Sequence, residues 1–146
     1  MKVRDIMTNP AIHISPTESA EVAARTLAQY NIGILPVCNA DGKVCGLVTD
    51  RDLVTRCMAS GRSPANTTVR DVMTSQVTAA QPDMECGVAA HLMGRMQVRR
   101  LPVLENGKLC GMVSLGDLAK REESVMDAAD ALTDITSNVS DRGDWS

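Results

Sequence analysis

The chain is an internal duplication, and this constrains its fold more than any other feature of the sequence. The segment Val3–Thr8 (VRDIMT) recurs 66 residues later as VRDVMT at residues 69–74, and Leu35-Pro36-Val37 recurs at the same offset as residues 101–103. Gly46-Leu47-Val48-Thr49 then matches Gly-Met-Val-Ser at residues 111–114 with an offset of 65, so the second copy has lost one residue. Two copies of one unit of about 60 residues, followed by a tail, therefore make up the chain.

Each copy has the pattern strand, helix, strand, strand, helix. In the first copy, residues 11–15 alternate as a short strand, and residues 19–30 have Ala and Leu at helical spacing. Thr17 and Asp83 are the expected N-caps of this helix in the two copies. Asp41-Gly42 and Asn106-Gly107 each stand between two short apolar runs, which predicts a hairpin in each copy. A second helix is predicted from Asp50 to about residue 59.

These elements predict an α+β fold built from two tandem β-α-β-β-α units. We expect the units at residues 3–59 and 69–120, with a linker at 60–68. Residues 121–146 are expected to form a C-terminal helix, to about Thr133, and an acidic, partly disordered tail. One such unit is too small to bury both faces of its sheet. We therefore expect the two units to pack sheet to sheet with pseudo-twofold symmetry.

Composition and charge exclude several classes of function. The first 120 residues have 13 basic and 11 acidic residues, and the last 26 have two basic and seven acidic residues. With no basic stripe, one Trp, one Tyr and no Phe, neither duplex binding nor base stacking is expected, so we predict no nucleic-acid partner. No apolar run could cross a membrane and no secretory signal is visible, so a cytoplasmic location without membrane contact is expected.

Sequence patterns for catalysis or metal binding do not occur. There is no P-loop, G-x-G-x-x-G, H-E-x-x-H or G-x-S-x-G motif. The five cysteines have no C-x-x-C spacing, and we expect them to be reduced residues of the core. The prediction is a protein that is not an enzyme, with no metal site and no catalytic cofactor.

Each copy ends with Gly-x-x-[Thr/Ser]-x-x-Asp, which is a candidate ligand site. The pairs are Thr49 with Asp52 and Ser114 with Asp117. The glycine of the motif allows another backbone or a flat ligand to approach closely. The hydroxyl stands where a strand gives way to a helix, and the carboxylate could accept bonds from two adjacent ribose hydroxyls. In the alternative interpretation, the hydroxyls are N-caps and the carboxylates respond to the helix dipole.

Arginines distinguish the two copies. Arg99-Arg100 replaces Gly33-Ile34 of the first copy, directly before Leu-Pro-Val. Two guanidinium groups there are a candidate phosphate clamp, and the alternative is a solvated strand end. Arg51 is a second candidate, for which we favour an ordinary surface position.

Taken together, the repeat, the Asp-[Ile/Val]-Met-Thr openers, the Leu-Pro-Val strands and the Gly-x-x-[Thr/Ser]-x-x-Asp endings resemble a known family. They are similar to tandem cystathionine β-synthase (CBS) domains, the Bateman module, over about residues 3–120, and to its small stand-alone bacterial type. The resemblance implies two symmetry-related clefts for adenosine ligands such as AMP, ADP, ATP, S-adenosylmethionine or NAD(H). It implies contacts to ribose or phosphate from these side chains: Thr49, Asp52, Ser114, Asp117, Arg99 and Arg100.

The resemblance also implies an adenine pocket at each cleft. One set is Thr8, Ile12, Ile34 and Leu35, and the other is Thr74, Val77 and Leu101. It further implies a homodimer held by exposed apolar side chains of the helices. The expected function is a non-enzymatic regulatory module that senses an adenosine-containing ligand and passes its state to an unidentified effector protein. The alternative is a structural or protein-interaction module with degenerate clefts that bind no ligand.

Overall fold

The structure is a computed structural model that describes residues 1–120 and 125–141, with side chains to residue 137. The rest of the acidic tail lies outside the described residues. The mixture of helices with two small sheets confirms the α+β prediction.

A two-stranded hairpin forms in each copy, as predicted. Strand β1 (Ile34–Cys38) pairs antiparallel with β2 (Val44–Thr49), and β3 (Arg100–Glu105) pairs with β4 (Lys108–Ser114). Gly42 has φ +84°, and Asn106 and Gly107 have φ +53° and +80°. Asn106-Gly107 is a two-residue turn, which needs positive φ at both residues. The first hairpin has the longer connection 39–43, in which only Gly42 has a positive φ.

The strand predicted at residues 11–15 is reduced to a single parallel bridge between Ile14 and Val37. The Ile14 amide donates to the Pro36 carbonyl (3.0 Å), and the Cys38 amide donates to the Ile14 carbonyl (2.9 Å). Pro16 follows two residues later and has no N–H to extend the ladder. The second copy has the matching bridge between Ala80 and Val103.

The first long helix is α1 (Ala20–Tyr30) in the first copy and α4 (Cys86–Met96) in the second. The predicted N-caps of both helices are wrong. Ser19, in extended conformation, caps α1 and accepts from the amide of Val22 (3.1 Å). Glu85 is at the same place before α4 and makes no side-chain capping bond. Both helices begin later than expected, so Thr17 and Asp83 lie outside the capping position.

The helix after each hairpin starts directly at the end of the strand. Helix α2 (Asp50–Asp52) continues as a π-helix (Leu53–Met58), so the predicted helix exists but is wider over most of its length. Its counterpart α5 (Leu115–Ala119) is short. The remaining helices are two 3-10 helices (Val3–Asp5 and Pro64–Asn66), α3 (Val69–Val72) and α6 (Val125–Asp141).

Contacts divide the chain into two units, and each draws on both copies. The α1 unit contains Ile12–Val77 and Asn106–Leu109, and the α4 unit contains Met1–Ala11, Thr78–Glu105 and the chain from Cys110 on. We call residues 3–8 and 69–74 the openers of the two copies, and the opener of one copy thus packs beside the first long helix of the other. In the α4 unit the Val3 amide donates to the Met84 carbonyl (2.9 Å), and in the α1 unit the Val69 amide donates to the Glu18 carbonyl (2.8 Å).

Each unit has its own aliphatic core. In the α1 unit Leu35, Val37 and Val48 pack with Val69 and Val72, all with no exposed surface. In the α4 unit the opener again contributes to the core. Its buried side chains include Val3, Met93, Leu101, Val103 and Leu118.

The segment 60–68, expected to be a linker, is fixed within the α1 unit. The Thr67 carbonyl accepts from the Ala20 amide (2.8 Å). The side chain of Thr67 is buried, and its hydroxyl donates to the Ser63 carbonyl (2.7 Å).

Helix α6 continues past Thr133, where we expected it to end, to Asp141. It completes the core of the α4 unit with Ala128, Ala131 and Ile135, which are at most 7% exposed. Because the buried stripe extends to Ile135, packing favours helix beyond the predicted end. None of the described helices is long and apolar enough to span a membrane.

Candidate functional site

Thr49 and Asp52 form a reciprocal capping box at the start of α2. The Asp52 amide donates to Thr49 Oγ1 (3.0 Å), and the Thr49 amide donates to Asp52 Oδ2 (3.1 Å). Asp52 is buried and has two further neighbours. The Thr74 hydroxyl donates to its carboxylate (3.3 Å to Oδ1), and Arg56 Nε lies 3.8 Å from Oδ1. Both carboxylate oxygens are therefore already in use.

Ser114 and Asp117 repeat the capping box at the start of α5. The Asp117 amide donates to Ser114 Oγ (3.0 Å), and the Ser114 amide donates to Asp117 Oδ2 (3.1 Å). Asp117 is half-buried, and no other donor to its carboxylate lies among the described residues. Among the described residues, Asp117 Oδ1 therefore has no donor, unlike either oxygen of Asp52.

Two of the candidate adenine-pocket residues lie in a different grouping from the expected one. Thr74 was grouped with Leu101, but it pairs with Leu47 and donates to Asp52, in the α1 unit. Thr8 was grouped with Ile34 and Leu35, but it pairs with Met112 in the α4 unit (N–O distances 2.7 and 3.0 Å). The physical reason is that each opener packs in the unit that contains the long helix of the other copy.

The other adenine-pocket candidates differ in how much of each side chain is accessible. Leu35 and Leu101 are buried in the two cores, so only their backbone could frame a ligand. Ile34 and Val77 are half-buried, and Ile12 is 36% exposed.

A cavity of about 540 Å³ in the α4 unit brings Arg99, Arg100 and Ser114 together. The first residues of α5 form part of its wall. Helix α6 forms another part of the wall, which was not predicted from the sequence. The apolar face of α6 indicated only that the helix packs against something. The apolar side chains in the wall are Leu115, Ala119, Val125, Ala128, Ala129 and Leu132.

Both arginines at the cavity are exposed, and neither guanidinium has an ion pair or hydrogen bond with a described residue. The Arg99 carbonyl accepts from the Leu115 amide (2.8 Å), which fixes the backbone beside α5. In the α1 unit the Gly33 carbonyl accepts from the Asp50 amide in the same way (3.1 Å). The α4 unit therefore has Arg99 and Arg100 where the α1 unit has two uncharged residues. It also has Leu115 where the α1 unit has the carboxylate of Asp50.

Arg51 shows the surface position that we favoured for it. It is exposed, and its backbone amide donates to Asp50 Oδ1 (2.8 Å). Arg56, which sequence reasoning did not single out, donates to the Met73 carbonyl (2.9 Å) beside Asp52. Arg56 therefore connects the opener at Met73 to the carboxylate of Asp52.

All five cysteines are reduced, and three of them are buried. Burial, with a smaller contribution from Cys45, raises the pKa of the Cys38 thiol to about 11. Burial also raises the pKa of Cys110. Both thiols are thus protonated at neutral pH and are poor nucleophiles and metal ligands.

Comparison with known proteins identifies the family. A family model for the CBS domain matches residues 3–59 and 69–124. The chain belongs to the CBS-domain family. The CBS domain-containing protein YhcV of Bacillus subtilis is 38% identical over 134 residues, which cover 92% of this CBS pair and 94% of YhcV.

Solved structures show the same fold. Hypoxic Response Protein I, solved with two coordinated zinc ions, has a TM-score of 0.77 and 29% identity, covering 83% of this CBS pair and 98% of that chain. In the described part of this CBS pair, no three His, Cys, Asp or Glu side chains are grouped to hold a metal. The CBS pair of protein MJ0100, in complex with 5′-methylthioadenosine and S-adenosyl-L-methionine, has a TM-score of 0.73 and 26% identity over 82% of this chain and 94% of that chain.

Proposed function

We propose that this CBS pair senses an adenosine-containing ligand and passes the ligand-bound state to an effector protein, without catalysing a reaction. The observation that carries the proposal is the hydroxyl–carboxylate pair at the same place in both copies, Thr49 with Asp52 and Ser114 with Asp117. The adenosine compounds bound by the MJ0100 pair support the ligand class.

The α4 unit is better equipped for a nucleotide than the α1 unit. Asp117 Oδ1, which has no donor among the described residues, would accept from a ribose hydroxyl, and Arg99 and Arg100 supply cations for phosphate. The α1 unit has no matching arginine pair and has Asp50 instead. AMP, ADP, ATP or NAD(H) therefore suits the α4 unit better than the α1 unit.

One observation favours the alternative of an interaction module with degenerate clefts. Asp52 is 7% exposed, and its two oxygens already serve Thr49, Thr74 and Arg56. A capping box alone accounts for this arrangement without any ligand.

Further parts of the proposal concern assembly and location. We propose a cytoplasmic homodimer held by exposed apolar side chains on the helices. Met58 and Met96 are 67% and 46% exposed, and Tyr30 is 48% exposed. Light scattering after size exclusion, on the wild type and a Met58→Asp variant, tests the assembly: a monomeric wild type would contradict it.

The ligand is tested by thermal shift and calorimetry with AMP, ATP, S-adenosylmethionine and 5′-methylthioadenosine. A ligand at 100 times its Kd stabilises the folded state by about 2.7 kcal/mol, which raises Tm by several degrees. The variants are Asp52→Asn and Asp117→Asn, because asparagine still accepts the capping bond but has no charge. Asp83→Asn is the matched control, since Asp83 is exposed and away from both capping boxes.

We expect Asp117→Asn to weaken nucleotide binding and Asp83→Asn to leave it unchanged. If no ligand shifts the wild type, or if all variants bind equally well, the adenosine proposal fails. The interaction module then becomes the better description.

A further inference from the structure

The cavity of the α4 unit has the size and the lining of a small-molecule site. Its volume is about 540 Å³, within the roughly 300–1,000 Å³ that ligand pockets occupy. Such pockets are mostly apolar, with a few precisely placed polar groups. Here the polar groups are Arg99, Arg100 and Ser114.

The apolar wall is aliphatic and comes largely from α6. Val125 and Leu132 are 42% and 44% exposed, and Ala129 is also exposed, so these side chains are open rather than packed in the core. The α6 side chains in the wall have no hydrogen-bonding group that could recognise the edge of a purine. An alkyl chain needs no such group and gains free energy with every methylene that it buries.

The two arginines in the cavity wall fit a dianion. One guanidinium satisfies a carboxylate in bidentate fashion, whereas two adjacent guanidinium groups match the charge and the three oxygens of a phosphate monoester. Both Arg99 and Arg100 are exposed, and neither has a partner among the described residues.

The first copy provides an internal comparison. At the positions that match Arg99, Arg100 and Leu115 it has Gly33, Ile34 and Asp50. The first copy therefore lacks the two cations and has a carboxylate in addition. A Cβ on Gly33 would lie 3.4 Å from Asp50 Oδ2. The cationic pocket is therefore a property of the second copy and not of the duplicated fold.

We infer that the α4 unit binds a phosphate monoester with an aliphatic body, the phosphate at Arg99 and Arg100 and the chain along α6. The site shares Arg99 and Arg100 with the phosphate of the adenosine proposal, but it does not depend on Asp52 or Asp117, and its aliphatic wall on α6 takes it beyond that proposal. Binding would act directly on α6, which places the response of the protein in its C-terminal helix.

Calorimetry on the full chain with hexyl, octyl and decyl phosphate, each below its micelle concentration, tests the inference. Affinity is expected to rise with chain length, by up to about fourfold per methylene. Octanol and inorganic phosphate, each lacking one half of the ligand, are expected to bind at least about tenfold more weakly than octyl phosphate.

Two pairs of variants separate the halves of the site. The double variant Arg99→Gly, Arg100→Ile copies the first repeat and is expected to weaken octyl phosphate binding about tenfold or more. Arg95→Gly, which removes an exposed cation outside the cavity, should leave it unchanged. Ala129→Phe fills the cavity and should abolish the chain-length dependence, whereas Met126→Phe, at a position 73% exposed and outside the cavity wall, should not.

Vesicles of equal parts phosphatidylcholine and phosphatidic acid distinguish a lipid from a free compound as the source of the phosphate. Binding of octyl phosphate with the expected variant pattern supports the pocket, and added arginine-dependent vesicle binding assigns the ligand to lipid. Vesicle binding without octyl phosphate binding overturns the pocket. So does an affinity that is independent of chain length, or equal in the arginine double variant and wild type. Nucleotide binding that persists in these cases leaves the adenosine proposal intact.

Discussion

At the residue scale, the glycines of the two endings show how one sequence feature can fit two interpretations. Gly46 and Gly111 could have admitted either a ligand or another backbone. In the structure a Cβ on Gly111 would lie 2.7 Å from the Thr8 carbonyl oxygen, and one on Gly46 would lie 2.8 Å from that of Thr74. Glycine is needed there because the opener backbone approaches closely. Sequence alone could not decide this, since the opener comes from far along the chain.

Gly111→Ala is therefore expected to destabilise the protein by about 1–3 kcal/mol, because a backbone carbonyl has to move. Thermal unfolding should show a Tm several degrees lower. Gly116→Ala is the control: the nearest atom to its Cβ is Ser114 Oγ at 3.7 Å. A Tm for Gly111→Ala equal to that of Gly116→Ala would contradict the proposed close approach.

A second prediction at this scale concerns Cys38 and pH. Its thiol has a pKa of about 11 in the folded state, against 9.0 as the ordinary value. Above about pH 9 the unfolded chain loses this proton and the folded chain retains it. The free energy of unfolding should therefore fall as pH rises from 9 to 11, and should level off above 11.

Urea unfolding across this pH range, on the wild type and Cys38→Ala, measures the effect. The variant lacks the thiol, so its stability should decline less steeply with pH. Parallel declines in the two proteins would show that other groups cause the dependence.

At the scale of elements, local signals predicted some parts well and others poorly. The Asp-Gly and Asn-Gly pairs predicted both hairpins, because Gly42, Asn106 and Gly107 all adopt positive φ. The strand at residues 11–15 was predicted, but its reduction to one bridge at Ile14 was not, and neither was the π-helix after Asp52, because long-range packing and proline positions decide them. Most of the cavity wall was missed for a similar reason: the apolar stripe of α6 does not say which surface it covers.

Helix α6 packs closely against α4. A Cβ on Gly94 would lie 3.2 Å from Ala131 Cα and 2.9 Å from Asp134 Oδ2. The first copy has Ala28 at the matching position. A helix packed on α1 in the same way would therefore meet a side chain that α4 lacks.

Ile135→Ala should destabilise the α4 unit by about 2–4 kcal/mol, since Ile135 is 7% exposed within the core. Leu132→Ala, at a position 44% exposed on the same helix, should cost less than about 1 kcal/mol. Chemical unfolding of both variants compares the two costs. Equal costs would mean that α6 does not pack as described.

At the scale of the whole molecule, the duplication predicted the architecture but not the exchange of openers. Because both copies have nearly the same opener, either pairing satisfies the apolar pattern of the sequence. The same ambiguity caused Thr8 and Thr74 to be grouped with the wrong partners.

The exchange makes a prediction for native-state hydrogen exchange. Val3→Ala, which opens the α4-unit core, should reduce amide protection in α4 more than in α1. Val69→Ala should do the reverse, because Val69 lies in the core of the α1 unit. If Val3→Ala exposed α1 instead, each opener would belong to its own copy.

The exchange of openers between the copies also determines the order in which the two units can fold during synthesis. The α4 unit needs Val3 and Ile6 from the start of the chain and Ile135 from near its end. Those first apolar residues leave the ribosome long before their partners exist, so a chaperone or a solubilising neighbour has its greatest effect there. The α1 unit needs no residue beyond Leu109, so it can be completed before the α4 unit.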